Sequence, residues 1–379
     1  MVALMYLTSP FKGLFTPSNE VAARSDTLLS LIQALIYSIT LIFVLPHSRA
    51  FLRGMFEAKW IFILVLFTLI SAAWAGDASL SIRRGLIAAA TTCFGVYFGS
   101  RYNRDNQVTL LCYAISAILL MSVAMVILYP EFGLFAVEDG SDWRGIFETK
   151  NMLGRVMATG IVAFLCVPSK YFGMFGRLLC LSAAGAVIAF SGSATAAVVA
   201  GVMIVLVWLM KSLRAGRFAF LSVLMFSLAM FTVAVVVVVF NRSFLLSSMH
   251  RDETLGRLPV WLSALTAISA RPLLGYGFSS FWNGPESAAL VRTVGWVPPH
   301  AHNGFLDICL DLGMGGLLIF ATGFVLKLRR VVSEYRAGGQ TVSWSLAFLL
   351  FLLLYNVSES TLLQPNSLFW ALYTAVLSR

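Results

Sequence analysis

The sequence is poor in charge, with 12% charged residues against 59% hydrophobic ones. Soluble domains carry about 25% charged residues, so one water-exposed fold could not cover this much apolar surface. Apolar runs recur along the whole chain, and several reach the roughly 20 residues that a helix needs to cross a bilayer. The composition therefore predicts an all-α polytopic membrane protein whose main solvent is lipid.

Cysteine is scarce as well, and the five cysteines lie in apolar segments without C-x-x-C spacing. Neither a disulfide framework nor a zinc knuckle is indicated. No small-residue cleavage site follows the first apolar run, so we expect no removable signal peptide. The net charge of +10 is spread over short connections between apolar runs, which favours a membrane protein over one that binds nucleic acid.

The spacing of the apolar runs predicts about eleven membrane spans, within a range of ten to twelve, in a single domain covering 1–379. The predicted spans are 27–45, 60–75, 85–99, 108–129, 151–167, 174–190, 194–210, 218–240, 303–326, 341–357 and 366–378. Basic residues concentrate in alternate connections, so one orientation makes all of those connections cytoplasmic. The connections 131–150 and 241–302 then face outward, and the second is long and partly helical.

The first outer loop carries cations next to a predicted span. Arg144 and Lys150 precede Asn151, which is placed to cap that span, and Arg155 lies one turn inside it. A cation at that depth is costly unless it faces a partner or a wet cavity, so it is a functional candidate. The alternative is that these side chains snorkel to the interface. Acidic residues of the same loop could instead form a cation site: Glu131, Glu138, Asp139 and Asp142.

Arg257 stands at the start of an apolar stretch in the long outer loop, where the pattern predicts a helix lying along the membrane surface. A guanidinium group is planar and permanently charged, and it can bind phosphate oxygens in a bidentate manner. Arg257 is therefore a candidate clamp for a pyrophosphate. The alternative is an ion pair with Asp252 or Glu253.

The long loop ends in His300, His302 and Asn303, beside the predicted ninth span. An imidazole whose pKa lies near neutral pH can take a proton from an attacking hydroxyl, which makes His302 a candidate base. Asp307, one turn into the span, could orient that ring. Two alternatives remain open: a metal site formed by His300, His302 and Asp307, and a purely structural role for the loop histidines.

Several stretches together resemble one family. They are WRGIFETKNMLG (143–154), SGSATA (191–196), GRLPVW (256–261), RPLLGYGFSSFW (271–282), PPHAHNGFLDICLDLGMGG (298–316) and SES (358–360). In this order the motifs resemble the O-antigen ligase and Wzy-type polymerase superfamily, within it the branch of ExoQ-like exopolysaccharide polymerases. The resemblance covers roughly residues 140–370.

The resemblance implies a glycosyltransferase-C-like fold in the bacterial inner membrane that acts on undecaprenyl-pyrophosphate glycans at the periplasmic face. It implies no required metal and no cofactor, and it assigns the family's functional residues to Arg144, Arg257 and His302. Lys150 competes with Arg144 for the phosphate role. His300 and Asn303 are further candidates for substrate binding.

We therefore expect a polymerase that joins lipid-linked glycan repeat units. The acceptor hydroxyl attacks the anomeric carbon of the donor, His302 takes the proton, and the arginines stabilise the leaving pyrophosphate. A ligase that moves a glycan to lipid A core is the alternative, and a lipid-linked oligosaccharide transporter is a further one. Expected partners are the lipid-linked donor, a glycan or lipid-linked glycan acceptor and membrane lipid, and a chain-length regulator protein could act with them.

Overall fold

The architecture is helical throughout most of the chain. A computed structural model describes residues 1–10, 19–137, 140–216, 221, 224–225, 257–294, 296, 298–338 and 343–379. Its α-helices are α1 (Val2–Tyr6), α2 (Asn19–Val44), α3 (Ser48–Glu57), α4 (Lys59–Ile70), α5 (Ala78–Arg101), α6 (Arg104–Leu128), α7 (Pro130–Gly133), α8 (Lys150–Cys166), α9 (Met174–Phe190), α10 (Ala194–Ala215), α11 (Arg257–Ala270), α12 (Ala288–Val294), α13 (Gly304–Arg336), α14 (Ser343–Tyr355) and α15 (Leu368–Leu377).

Most of the predicted spans coincide with helices of the structure. Every predicted span overlaps a described helix except 218–240, most of which lies outside the described residues. Within the described part of the chain, four helical stretches are long and apolar enough to cross a membrane, and four shorter helices are also apolar. The chain is a multi-pass membrane protein, and the number of eleven spans stays a prediction.

The first outer loop contains a small antiparallel hairpin, so the prediction of an all-α protein needs a correction here. Strand β1 (Leu134–Val137) pairs with β2 (Gly140–Trp143), and Leu134 lies opposite Trp143. The indole of Trp143 stacks on Phe190 at the end of α9, with 4.8 Å between ring centroids. The last residue of the hairpin thereby packs on the helical bundle at the end of α9.

Close helix packing in the membrane depends on small residues. Gly95 and Gly99 lie four residues apart on α5 and face α15, where a Cβ at Gly95 would lie 1.7 Å from Thr374 Oγ1. A Cβ at Gly99 would lie 2.1 Å from Ser378 Oγ. Such spacing of small residues lets two membrane helices approach closely, which fixes α15 and the segment before it against the bundle.

Helix α13 is broken near its outer end. Gly313 has φ 64° and ψ −168°, a conformation that only glycine adopts readily. The loop segment before α12 satisfies the freed backbone groups: Tyr276 N–H donates to Leu310 O at 2.8 Å, and Met314 N–H donates to Pro272 O at 2.8 Å. Residues 304–312 of α13 are therefore hydrogen-bonded to the loop that carries the histidines.

Basic residues gather at one end of the helical bundle. Arg104 pairs with Glu334 at 2.7 Å, and Arg330 bridges Glu57 and Glu334. These residues come from the predicted cytoplasmic connections, which the structure brings to the same end. We call this the basic end. Helices α8, α10, α13 and α14 connect it to the opposite end, where Arg257 and His302 lie.

Candidate functional site

Arg257 forms a buried ion pair at the first residue of α11. Its Nη2 lies 2.9 Å from Glu359 Oε1, and the two side chains are 11% and 7% exposed. Nη1 donates to Ser358 O at 2.7 Å and contacts Thr195 Oγ1 at 3.4 Å. The pair thus joins the long outer loop, the start of α10 and the segment between α14 and α15.

His302 lies on the other side of the same carboxylate. Its Nδ1 is 3.7 Å from Glu359 Oε2, and among the described residues this buried nitrogen has no hydrogen-bond partner. The backbone of His302 has φ 51°, in the left-handed region that non-glycine residues seldom occupy. Such strain persists only where the surroundings impose it, and it is common at functional sites.

His300 is a fixed, neutral neighbour of His302. The two rings lie edge to face with centroids 4.3 Å apart, and His300 Nδ1 accepts a hydrogen bond from the backbone N–H of His302 at 3.1 Å. Burial, followed by the nearby His302, lowers the pKa of His300 to about 3. His300 therefore stays neutral at physiological pH, and its proton resides on Nε2.

Glu359 is the charged centre of the group. Burial acts to raise its pKa, but the imidazole of His302 and the guanidinium groups of Arg257 and Arg155 outweigh that effect and lower the pKa below its ordinary value. Glu359 is therefore a carboxylate at neutral pH. The arrangement is a buried anion between one imidazole and two arginines.

Arg155 completes the group from the first turns of α8. Its guanidinium carbon lies 5.2 Å from the ring centroid of Phe369, and its charge acts on both Glu359 and His300. Nε of Arg155 is buried and has no hydrogen-bond partner within the described ranges. A buried guanidinium N–H without an acceptor is costly, and an anionic ligand would satisfy it.

Asp307 has a different environment from the one predicted for it. Its Oδ1 accepts hydrogen bonds from Trp282 Nε1 and from the backbone N–H of Ala301, both at 2.9 Å, and its Oδ2 accepts one from Ser360 Oγ. Asp307 therefore holds the histidine loop in place. The carboxylate within 4 Å of His302 Nδ1 is Glu359, so the predicted role of orienting the ring fits Glu359 instead.

Asn303, predicted to bind substrate, is the N-cap of α13. Its Oδ1 accepts from the backbone N–H groups of Phe305 and Leu306, and its Nδ2 donates to Val357 O at 3.0 Å. Both ends of the amide are thus used inside the protein. Asn303 therefore has a helix-capping role, and its contact with substrate stays a prediction.

Arg144 and Lys150 are held within the first outer loop. Arg144 Nε donates to Phe132 O at 2.8 Å, and its Nη2 lies 3.5 Å from Glu131 O. Lys150 Nζ pairs with Asp142 at 3.0 Å. The described contacts of Arg144 stay within its own loop and do not reach the Arg257–Glu359 pair. Of the acidic residues considered for a cation site, Asp142 is paired in this way, and Glu138 and Asp139 lie outside the described residues.

Comparison with known proteins gives three matches. Residues 178–321 match the family model described as O-Antigen ligase. The "Exopolysaccharide production protein ExoQ" of Rhizobium meliloti is 27% identical over 341 residues, which cover 83% of this chain and 75% of that protein. Together these matches support the O-antigen ligase and ExoQ-like family for this chain. A protein of Rickettsia felis named as a polysaccharide ligase is 31% identical over 94 residues, covering 24% of this chain and 23% of that protein.

The stretch matched by the O-antigen ligase model contains only part of the site. Arg257, His300 and His302 lie inside it, whereas Arg155 and Glu359 lie outside. The sequence singles out Arg155 through the cost of a cation in a span, but Glu359 was not among the predicted residues. A signal for Glu359 exists, because it is the only acidic residue after Glu334 and it stands within the SES motif at 358–360.

Among the described residues, those that could hold a metal ion differ from the predicted set. Ligand atoms of His300, His302 and Glu359 lie within 4.8 Å of one another, so Glu359 takes the place predicted for Asp307. His300 could offer only Nε2, because its Nδ1 accepts the N–H of His302. The ion pair with Arg257 also weakens Glu359 as a ligand for a divalent cation, since it already compensates the carboxylate charge.

Proposed function

We propose that this protein polymerises polyprenyl-pyrophosphate-linked oligosaccharide repeat units into exopolysaccharide or O-antigen at the periplasmic face of a bacterial inner membrane. The observation that carries the proposal is the buried group formed by His302, Glu359 and Arg257, in a chain similar to the O-antigen ligase and ExoQ-like family. It combines a base with cations that can bind a pyrophosphate.

His302 serves as the base. A carboxylate beside Nδ1 favours the tautomer that carries its proton there, which leaves Nε2 to accept the proton of the acceptor hydroxyl. As the new glycosidic C–O bond forms, the bond between the anomeric carbon and the pyrophosphate oxygen breaks, and its electron pair leaves with the pyrophosphate. The imidazolium that forms is stabilised by Glu359, 3.7 Å away.

Arg257 and Arg155 bind the pyrophosphate. Pyrophosphate is a good leaving group, so the reaction needs stabilisation of negative charge more than it needs a general acid. Arg155 supports this role because its buried Nε–H has no acceptor among the described residues. The charges of these arginines can replace those of a metal ion, and we therefore propose that the reaction is metal-independent.

The orientation follows from the basic end of the bundle. Cytoplasmic connections of inner-membrane proteins carry an excess of Lys and Arg, so we place the basic end in the cytoplasm. Helices α8, α10, α13 and α14 then carry the His302 group to the opposite, periplasmic side. An undecaprenyl-pyrophosphate donor would reach it with its phosphates at the interface and its chain in the bilayer. A chain-length regulator protein stays a predicted partner.

A ligase is the second candidate, because the matched family model is described as O-Antigen ligase and one relative is named as a polysaccharide ligase. Purified protein supplied only with the polyprenyl-pyrophosphate repeat unit should produce a ladder of products that stay lipid-linked and acid-labile. A single product that forms only after addition of a lipid A core acceptor would contradict polymerisation and support ligation.

A further inference from the structure

A cavity lies at the basic end of the bundle, at the opposite end of the helices from His302. It has a volume of about 550 Å³, within the roughly 300–1,000 Å³ that small-molecule sites commonly have. Five basic side chains and one carboxylate line it, a formal excess of four positive charges. These side chains are Arg104, Lys170, Arg177, Lys211, Arg214 and Asp105.

Carboxylates neutralise only part of this charge. Arg104 pairs with Glu334 at 2.7 Å. Asp105 lies 3.7 Å from Lys170 Nζ, but the Lys170 side chain is 64% exposed, so water screens that pair. Among the described residues, the charges of Arg177 and Lys211 therefore remain available to a ligand.

Arg177 and Lys211 face neutral oxygens. Arg177 Nη2 donates to Val167 O at 3.0 Å and to Ser169 Oγ at 2.9 Å, and Lys211 Nζ donates to Leu165 O at 2.6 Å. Nε of Arg177 is buried and has no hydrogen-bond partner in the described part of the chain. Holding an unsatisfied guanidinium N–H in a cavity is costly, and an anion with several acceptor oxygens would offset that cost.

We propose that this cavity binds a phosphate group, with the headgroup of an anionic membrane phospholipid as its source. Arginine and lysine together suit phosphate, and basic pockets between membrane helices at the cytoplasmic side recognise anionic headgroups. Trp344 and Val108 add apolar surface beside the cations, where the glycerol backbone of a lipid would lie. Bound lipid would tie together the cytoplasmic ends of α8 and α10.

The test measures ligand affinity by thermal stabilisation of the purified full-length protein in an uncharged detergent. The probes are short-chain phosphatidylglycerol, short-chain phosphatidylcholine and glycerol 3-phosphate. Arg177→Gln combined with Lys211→Gln removes two cations from the cavity. Arg49→Gln combined with Arg329→Gln removes two exposed cations elsewhere and serves as the matched control.

We expect phosphatidylglycerol to stabilise the wild type and the control, and its affinity to fall about tenfold or more in the cavity variant. Phosphatidylcholine should have no such effect. Equal affinities in the cavity variant and the control, or equal effects of the two lipids, would overturn the proposal. Saturable binding of glycerol 3-phosphate as tight as that of the lipid would retain the phosphate site but overturn its lipid source.

A second variant keeps the test decisive if loss of two cations prevents folding. Ser169→Asp places a carboxylate next to Arg177 without removing any cation, and Ser169 is exposed. The new carboxylate would form an ion pair with the guanidinium of Arg177 and so lower the affinity for phosphatidylglycerol. A folded Ser169→Asp variant with wild-type affinity would contradict the proposal independently.

Discussion

Replacing Glu359 with glutamine removes the charge between Arg257 and His302 while keeping nearly the same side-chain volume. A full charge pair 3.7 Å apart interacts by about 4 kcal/mol at an effective dielectric constant of about 20. In the proposed mechanism His302 gains a positive charge as it takes the acceptor proton, so this interaction stabilises the transition state. We expect kcat to fall about 100- to 1,000-fold, since 1.4 kcal/mol corresponds to a factor of ten.

The donor KM should respond differently. Glu359→Gln frees Arg257 from its ion pair, so the guanidinium can bind the donor pyrophosphate without competition, and KM should stay constant or fall. Loss of the partner of a buried charge also destabilises proteins by about 3–5 kcal/mol, so the melting temperature must be measured in parallel. Glu359→Asp, which keeps the charge, should restore part of kcat.

The assay is formation of the polymer ladder by purified protein, with the exposed Glu131→Gln variant as the matched control. A folded Glu359→Gln variant with kcat within about threefold of wild type would refute the proposed stabilisation of His302. If Asp307→Asn lost turnover at unchanged melting temperature while Glu359→Gln did not, Asp307 would regain the role of orienting the ring.

His302→Ala should lower turnover about 100- to 10,000-fold while a filter assay still detects donor binding, because only the base is lost; near-normal polymer would remove His302 from the mechanism. Arg257→Lys should reduce donor binding and turnover through loss of the bidentate fork, whereas Arg144→Lys should be tolerated because Arg144 contacts loop carbonyls. The reverse result in the ladder assay would place the clamp on the first outer loop. Activity should survive EDTA, and loss restored by one divalent ion would support a metal site. Because the pKa of His300 is lowered to about 3 from 6.5, unfolding takes up a proton below about pH 6.5. The free energy of unfolding should therefore fall by at most about 1.4 kcal/mol per pH unit as the pH drops from 6.5 toward 4, and the melting temperature should fall with it. His300→Gln should reduce this dependence on pH.

The helices could be predicted because length and apolar composition alone determine whether a segment can lie in a bilayer. The span predicted at 174–190 coincides with α9, and most other boundaries differ by a few residues. The hairpin at 134–143 was not predicted, since its two strands have four residues each and show no regular alternation of apolar residues. The hairpin instead has a long-range contact, the stacking of Trp143 on Phe190.

Site residues could be predicted only where the residue type or its position within a segment is itself unusual. His302 and Arg257 stand out by residue type, and Arg155 stands out by its depth in a span. Glu359 is 102 positions from Arg257 in the chain, and a contact over such a distance depends on how α14 packs, which periodicity does not encode. Asp307 was chosen because it is near His302 in sequence, but helix geometry turns it toward Trp282.

Gly313 interrupts α13, and main-chain atoms of the outer loop hydrogen-bond to the helix on both sides of the interruption. Hydrogen bonds between backbones do not depend on side-chain identity, so the exposed Leu273 and Leu274 should accept substitution without displacing the histidine loop. Glycine is required at two points of closest approach: a Cβ at Gly313 would lie 2.3 Å from the carbonyl of Leu273, and one at Gly275 would lie 2.6 Å from Leu310 O. Alanine at Gly313 or Gly275 would push the outer loop away from α13. It would thereby displace the histidine loop and impair catalysis, without altering any group that touches the substrate.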